Sequence, residues 1–289
     1  EHRAYVESIL EKHNIDTTEL WDSKVGDNHG DNMREVGATP ILDVALSHAN
    51  CRLLVNALGV PPDFMLDKAK AAGVLVGALA GAKEHAIKHA KVGVDIIIVS
   101  GMEAGGHCGE VSTMVVLPEV LRALEPYGNI PVLAAGGIAT GRQMAAAMTM
   151  GAAGAWCGSV WLTTAEAETL PVVKQKMLNA TSKQTVRSRS RTGKPTRQLR
   201  SAWTDAWSQD KAPQPLPMPL QGLIAEPALG RISKLSERGH EGARELATYW
   251  VGQAVGLMNE PTTSKQVVYD FMEDFGLAIE RVAELMEKN

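Results

Sequence analysis

Cysteine is scarce. The 289 residues hold three, Cys51, Cys108 and Cys157. A small, odd number excludes a disulfide framework and suits a reducing compartment, so a cytoplasmic protein is expected. Long apolar runs are also missing. None reaches the roughly 18 residues that span a bilayer, and no leader pattern opens the sequence. Positive charge is not in excess either. The 29 Lys and Arg against 33 Asp and Glu give a net charge of -4. That balance offers no general attraction to nucleic acid or to an anionic membrane. What is present is an ordinary 45% of hydrophobic residues. This is enough for the core of one α/β barrel with additions, or of two smaller domains.

The opening stretch, Glu1 to His13, places Tyr5, Val6, Ile9 and Leu10 at helical spacing. A chain that starts inside a helix suggests that an N-terminal piece is missing. Residues 14–35 are polar and irregular. Asp27, His29 and Asp31 alternate there. A calcium loop would need Gly at Asn32 and Glu at Ala38, so a solvated loop is expected.

From Thr39-Pro40 a strand–helix rhythm sets in. Helices are expected at about 39–48, 61–72, 82–92, 117–124 and 141–150. Between them lie apolar runs at 52–59, 73–79, 95–99, 130–135 and 154–157 that read as strands. Asp95-Ile96-Ile97-Ile98-Val99 is the most apolar of these and reads as buried on both faces. Such alternation means parallel strands joined by crossover helices. Five strands fall three short of a closed (β/α)8 TIM barrel, and the shortfall is expected at the front. A doubly wound open sheet fits less well. It carries its phosphate loop after the first strand, where no such signature stands. His85 and His89 share a helix face at metal-binding spacing. No acidic residue follows His85, and Lys83, Lys88 and Lys91 surround the pair, so a solvated face is expected.

After Thr164 the rhythm stops. Residues 183–200 hold seven basic residues: Lys183, Arg187, Arg189, Arg191, Lys194, Arg197 and Arg200. The acidic whole-chain balance and the lack of a nucleic-acid module favour a polar connection near an anionic ligand. Residues 212–219 are proline-rich and read as an extended linker. In the final stretch Val267, Val268, Phe271, Met272, Phe275, Ile279, Val282 and Met286 share one helix face, expected to pack on the barrel. The chain thus divides into barrel units at 1–165, a capping segment at 166–261 and a returning helix at 262–289.

Three glycine-bearing loops follow consecutive strands: Gly101–Gly109, Gly136-Gly137 and Gly158-Ser159. In a barrel all three open on the C-terminal rim, where active sites lie. The last two would follow strands seven and eight, the usual phosphate cradle of backbone N–H groups. Ser159 could add a hydroxyl. His107 stands at the end of a Gly-Gly pair in the first loop, which favours proton transfer over a structural role. Glu103 is placed to hold the loop or to tune a proton. Cys108 and Cys157 have no visible base arrangement and read as small packing residues.

Gly101-Met102-Glu103-Ala104-Gly105-Gly106-His107, followed by Ser112-Thr113-Met114 and Pro118-Glu119-Val120, resembles the nitronate monooxygenase family. So do Ala134-Ala135-Gly136-Gly137-Ile138-Ala139, Gly141-Arg142 and Gly158-Ser159 with Leu162. The resemblance covers about Arg52 to Thr164 well and the tail more loosely. It implies an FMN-dependent TIM barrel with a helical cap, a small-molecule substrate, O2 as co-substrate, and no nucleic-acid or membrane partner; a homodimer is compatible with it. His107 maps to the family's catalytic base. Gly105 maps to a flavin contact. Gly137 and the stretch Trp156, Cys157, Gly158 and Ser159 map to phosphate contacts, and Ser100 and Gly136 are further candidate cofactor contacts. The family often has Gln at Ser100 and Trp156, and Thr at Ser159. The first change removes an amide that could bond the flavin ring. The implied reaction oxidises a nitronate, or a nitroalkane deprotonated by His107, to a carbonyl compound and nitrite. Flavin-dependent enoyl-thioester reductases share the Gly-Met-Glu-x-Gly-Gly-His loop and remain a rival. An inactive flavin-barrel fragment is the non-enzyme alternative.

Overall fold

A computed structural model describes residues 1–22 and 35–287. Asp27, His29 and Asp31 lie outside the described residues. The chain opens with α1 (His2–Lys12), followed by α2 (Glu35–Ser47). The expected alternation then runs β1 (Leu53–Asn56), α3 (Asp63–Ala71), β2 (Leu75–Ala80), α4 (Lys83–Lys91) and β3 (Ile96–Ser100). A two-residue strand, β4 (Gly106–His107), interrupts it. The alternation resumes with α5 (Thr113–Leu124), β5 (Val132–Ala135), α6 (Gly141–Thr149) and β6 (Gly154–Trp156).

The sheet has the order β1-β2-β3-β5-β6, and every neighbouring pair is parallel. Its centre is β3, where Ile97, Ile98 and Val99 are fully buried. The isoleucine run explains this position, since a central parallel strand is covered on both faces and needs no polar side. Ala78, Ala80, Val116, Leu117, Val120 and Ala134 pack around it. Among the described residues β1 and β6 are the sheet's two edges and do not pair with each other.

Several local expectations are corrected. The second helix begins at Glu35, ahead of Thr39, and carries Pro40 inside it. The helix after the His107 loop begins at Thr113, not Leu117. The α4 face carrying His85 and His89 is not solvated throughout. His85 is exposed, but His89 is 1% exposed and its Nε2 lies 3.0 Å from Leu79 O. A His four residues along an amphipathic helix turns inward when a strand-end carbonyl is available to it. Burial holds its pKa below the ordinary value.

The remaining segment is a second layer. It holds α7 (Pro171–Leu178), the hairpin β7 (Thr185–Ser188) and β8 (Thr196–Leu199), α8 (Ala202–Ala206), α9 (Leu220–Glu237) and α10 (Glu241–Leu246). Its core joins Met177, Trp203, Ile232 and Leu246 with Val6, Leu10, Ile15 and Leu20 from the start of the chain. Residues 1–22 therefore pack with the cap, although the sequence division set them with the barrel.

The last helix, α11 (Ser264–Glu287), lies along α6. A side chain at Gly141 would strike the backbone at Phe271 and Phe275, so glycine there sets the close approach. Arg142 Nε donates to Asp274 Oδ1 at 2.7 Å. The expected packing face is covered only in part. Val267 is buried, whereas Val268, Met272, Ile279, Val282 and Met286 are exposed. Val268 and Met272 are exposed within the turns that meet α6, and length limits the contact further along: α6 has 9 residues against 24 in α11, or about 14 Å against about 36 Å. Among the described residues no helix is long and apolar enough to cross a membrane.

Candidate active site

The site lies at the C-terminal ends of β3, β5 and β6, built on the loops that follow them. The loop after β3 is tied down first. Gly101 N donates to Ala135 O at 3.1 Å, and Met102 N to Val111 O at 2.8 Å. Glu103 then acts as the loop's anchor. Its Oε2 accepts from Thr113 N and Thr113 Oγ1, both at 2.9 Å. Thr113 Oγ1 is also 3.0 Å from Gly136 O, which joins the first loop to the second. Of the two roles open to Glu103 in the sequence, the structure supports the mechanical one.

The cap holds the same loop from above. Gln253 N donates to Glu103 O, and Gly252 N to Ser159 Oγ, each at 2.8 Å. A side chain at Gly105 would come within 2.8 Å of Gly252 N. Gly105 is thus demanded by this backbone crossing. β4 pairs antiparallel with β8, setting Gly106 opposite Arg197 and His107 opposite Thr196. Arg197 is 4% exposed; its Nε donates to Met102 O at 2.9 Å and its Nη1 to Thr185 Oγ1 at 3.0 Å. The basic run is therefore not a loose polar connection. It is a hairpin, and Arg197 is engaged in holding the loop.

His107 emerges from this clamp with part of its ring open to solvent. Its Nε2 lies 3.0 Å from Thr192 Oγ1 in the hairpin turn. Surrounding protein, and secondarily the Lys194 ammonium, hold its pKa below the ordinary histidine value. Both favour the uncharged ring, the form that can accept a proton.

The second and third loops form a cradle. Gly136 and Gly137 have φ of +100° and +76°, a region glycine enters without a Cβ penalty. Gln143 staples this turn: its Nε2 donates to Gly137 O at 2.8 Å and its Oε1 accepts from Ala139 N at 2.9 Å. Among the described residues, neither Gly137 N nor Gly158 N donates to another part of the chain. Beside Gly158 a Cβ would meet nothing within 4 Å. Free N–H groups beside open space suit a phosphate. Ser159 Oγ already accepts from Gly252 N, which leaves its proton to donate.

The other predicted contacts differ in character. Ser100 is 7% exposed at the end of β3. Trp156 ends β6 with its ring 39% exposed. The Cys157 side chain packs into the core, and burial pushes its thiol up to about 11. Its backbone carbonyl accepts from Trp161 Nε1 at 2.7 Å. Among the described residues no group of three or more His, Cys, Asp or Glu could hold a metal. Thr192, Gln143 and Trp250 escaped the sequence reading. Their positions carry no motif, and only the basic run around Thr192 marked that segment at all.

A family model described as nitronate monooxygenase matches residues 7–274. The chain belongs to the nitronate monooxygenase family. A Mycobacterium tuberculosis protein described no more closely than as a monooxygenase is 52% identical over 277 residues, covering 95% of this chain and 72% of that protein. A Rhodococcus jostii dehydrogenase named for a hydroxy-methyl-oxo-octahydro-indene-carboxyl-CoA substrate is 44% identical over 139 residues. That match covers 48% of this chain and 38% of the relative. The structure of nitroalkane oxidase from Streptomyces ansochromogenes superposes with a TM-score of 0.78 at 22% identity, over 97% of this chain and 77% of that one. The fold is thus that of the TIM-barrel members of this family, and among the described residues the five parallel strands form a sheet that does not close on itself.

Proposed function

We propose that this chain belongs to an FMN-dependent nitronate monooxygenase, with His107 as the base and the 136–137 and 158–159 loops as the phosphate site. The carrying observation is the juxtaposition on one rim. His107, its pKa held below the ordinary value by burial, stands on the first loop, and the second and third loops present unpartnered N–H groups with room beside Gly158. FMN, when bound, would supply the redox chemistry, taking electrons from the substrate and passing them to O2.

The chain's own residues do the rest. Gly137 N, Gly158 N and the Ser159 hydroxyl hold the phosphate by charge-assisted hydrogen bonds. Glu103, Thr113 and Gln143 hold the glycine turns in shape. His107 removes the α-proton of a neutral nitroalkane; a preformed nitronate needs no such step. Arg197 and the β4–β8 pairing keep the base on its loop. The product pair would be a carbonyl compound and nitrite.

A second reading is a flavin-dependent oxidoreductase acting on an acyl thioester. The 44% identity to a carboxyl-CoA dehydrogenase favours it. The visible spectrum of the purified protein separates the two. Anaerobic bleaching by a nitronate alone is expected for the monooxygenase. Bleaching by NAD(P)H, with none by nitronate, would select the thioester enzyme. A protein that retains no flavin would leave the inactive fragment.

A further inference from the structure

The cap contains a cavity of about 460 Å³. It lies between the segment after β6, helix α9 and the strand-like stretch 247–249. Its walls include Leu162, Leu170, Val173, Leu229 and Tyr249, with Arg191 at one side. A volume of this size matches sites for drug-sized ligands and far exceeds what a two- or three-carbon nitroalkane fills.

The cavity adjoins the base through a short chain of contacts. A Cβ at Gly106, the residue before His107, would lie 4.0 Å from Trp250 Cγ. The Arg191 guanidinium stacks on that Trp250 ring at 4.1 Å, and Arg191 lines the cavity. Thr192, next in sequence, is the residue that touches His107. One aromatic ring and one hairpin turn therefore separate the cavity from the reacting end of the site.

The wall chemistry selects the occupant. Arg191 Nε is held by Glu226 Oε1 at 2.9 Å, so this cation is already neutralised. Glu168, which also lines the cavity, is exposed and repels an anion at that side. The remaining walls are mostly hydrocarbon. Such a cavity gains by taking apolar surface out of water and offers nothing to an anionic group.

We propose that this cavity takes the uncharged alkyl chain or ring of a large substrate that runs past the edge of the Trp250 ring and presents its reacting carbon to His107. The proposal rests on the nitronate reading for the reacting end; the cavity itself stands on the geometry. It makes the enzyme a selector of long-chain or bulky nitro compounds over nitroethane.

Gly230 supplies the test. It lines the cavity, lies in α9, and a Cβ there meets nothing within 4 Å. Gly230→Phe therefore plugs the cavity without a backbone clash. Gly222 lies in the same helix with the same open surroundings but does not line the cavity, so Gly222→Phe is the control. Across nitronates from two to eight carbons, KM of the wild type should fall about fourfold per methylene, the factor expected for burying each CH2. Gly230→Phe should abolish that dependence and leave nitroethane unaffected, while Gly222→Phe behaves as wild type. A KM independent of chain length in the wild type, or an unchanged dependence in Gly230→Phe, overturns the proposal. Calorimetric binding of octan-1-ol gives a readout independent of turnover. If no nitronate reacts at any length, the nitronate reading fails. Octanol binding that Gly230→Phe removes then still supports the cavity, and wild-type protein that binds none overturns it.

Discussion

His107 Nε2 and Thr192 Oγ1 lie 3.0 Å apart although 85 residues separate them in the chain. The Thr192 hydroxyl is also 3.2 Å from Lys194 O, an acceptor that can take its proton. With that bond made, Thr192 accepts from Nε2–H, and the lone pair left free to take up a proton sits on Nδ1. Thr192 is a positioning residue in this arrangement. Thr192→Val should lower kcat with a neutral nitroalkane about 2- to 12-fold, the worth of one ordinary hydrogen bond. Thr192→Ser should restore it. Rates with a preformed nitronate, which needs no base, should change little in either variant. Equal losses with both substrates would show that the hairpin had simply been disturbed.

His107→Asn should cost roughly 10²–10⁴ in rate with a neutral nitroalkane and much less with the nitronate. Flavin content should stay normal, because the proposed phosphate site is on other loops. Paired steady-state assays, with the flavin absorbance of each preparation, check both statements.

The pH profile follows from what depresses the His107 pKa. With the neutral ring as the proposed base, activity with neutral nitroalkane should fall as pH drops through a value below the ordinary 6.5. Lys194→Gln removes the cationic contribution and leaves the burial. Its acid limb should therefore move to higher pH, toward the ordinary histidine value. A limb that stays in place, or moves lower, would show that the limb belongs to another group.

Gly158 separates room from charge. Gly158→Ala adds no charge and its methyl meets no protein atom within 4 Å, so it should keep more flavin than an acidic variant. Gly158→Asp puts a carboxylate against the phosphate and should lose it. Normal flavin content in the Asp variant would place the phosphate elsewhere.

Glu103→Ala removes the acceptor for Thr113 N and Thr113 Oγ1. A cost of about 2 kcal/mol in stability is expected for hydrogen bonds to a charged group. Denaturant melts of the variant and wild type measure it directly.

The sheet was legible because its signals are local. Ile96 to Val99 and the runs on either side carry their own strand pattern, and glycines mark where each strand ends. His107 stood out for the same reason. The rest depends on contacts that no short window contains. Thr192, Gln143 and Trp250 are ordinary residues until the fold sets them beside Gly106, His107 and Gly137. His89 follows the same rule in the opposite direction. Its helix reads as solvated, and only the position of Leu79 O shows why one histidine turns inward. The long apolar face of α11 was read correctly as a helix face, but its coverage depends on the length of α6, which the pattern of α11 cannot report.

The pairing of β4 with β8 has a consequence for how relatives of this chain can diverge. The residue proposed as the base sits in one layer, and the strand that pairs with its loop sits in the other. A cap cannot be traded between two members as an independent module, because its hairpin carries the alignment of the recipient's base. A chimaera joined after Thr164 would import a foreign Thr185–Leu199 hairpin along with any new substrate preference. Variation in specificity is thereby confined to surfaces away from that seam, such as the walls contributed by α9. The hairpin and the Gly105-Gly106-His107 turn must instead change together.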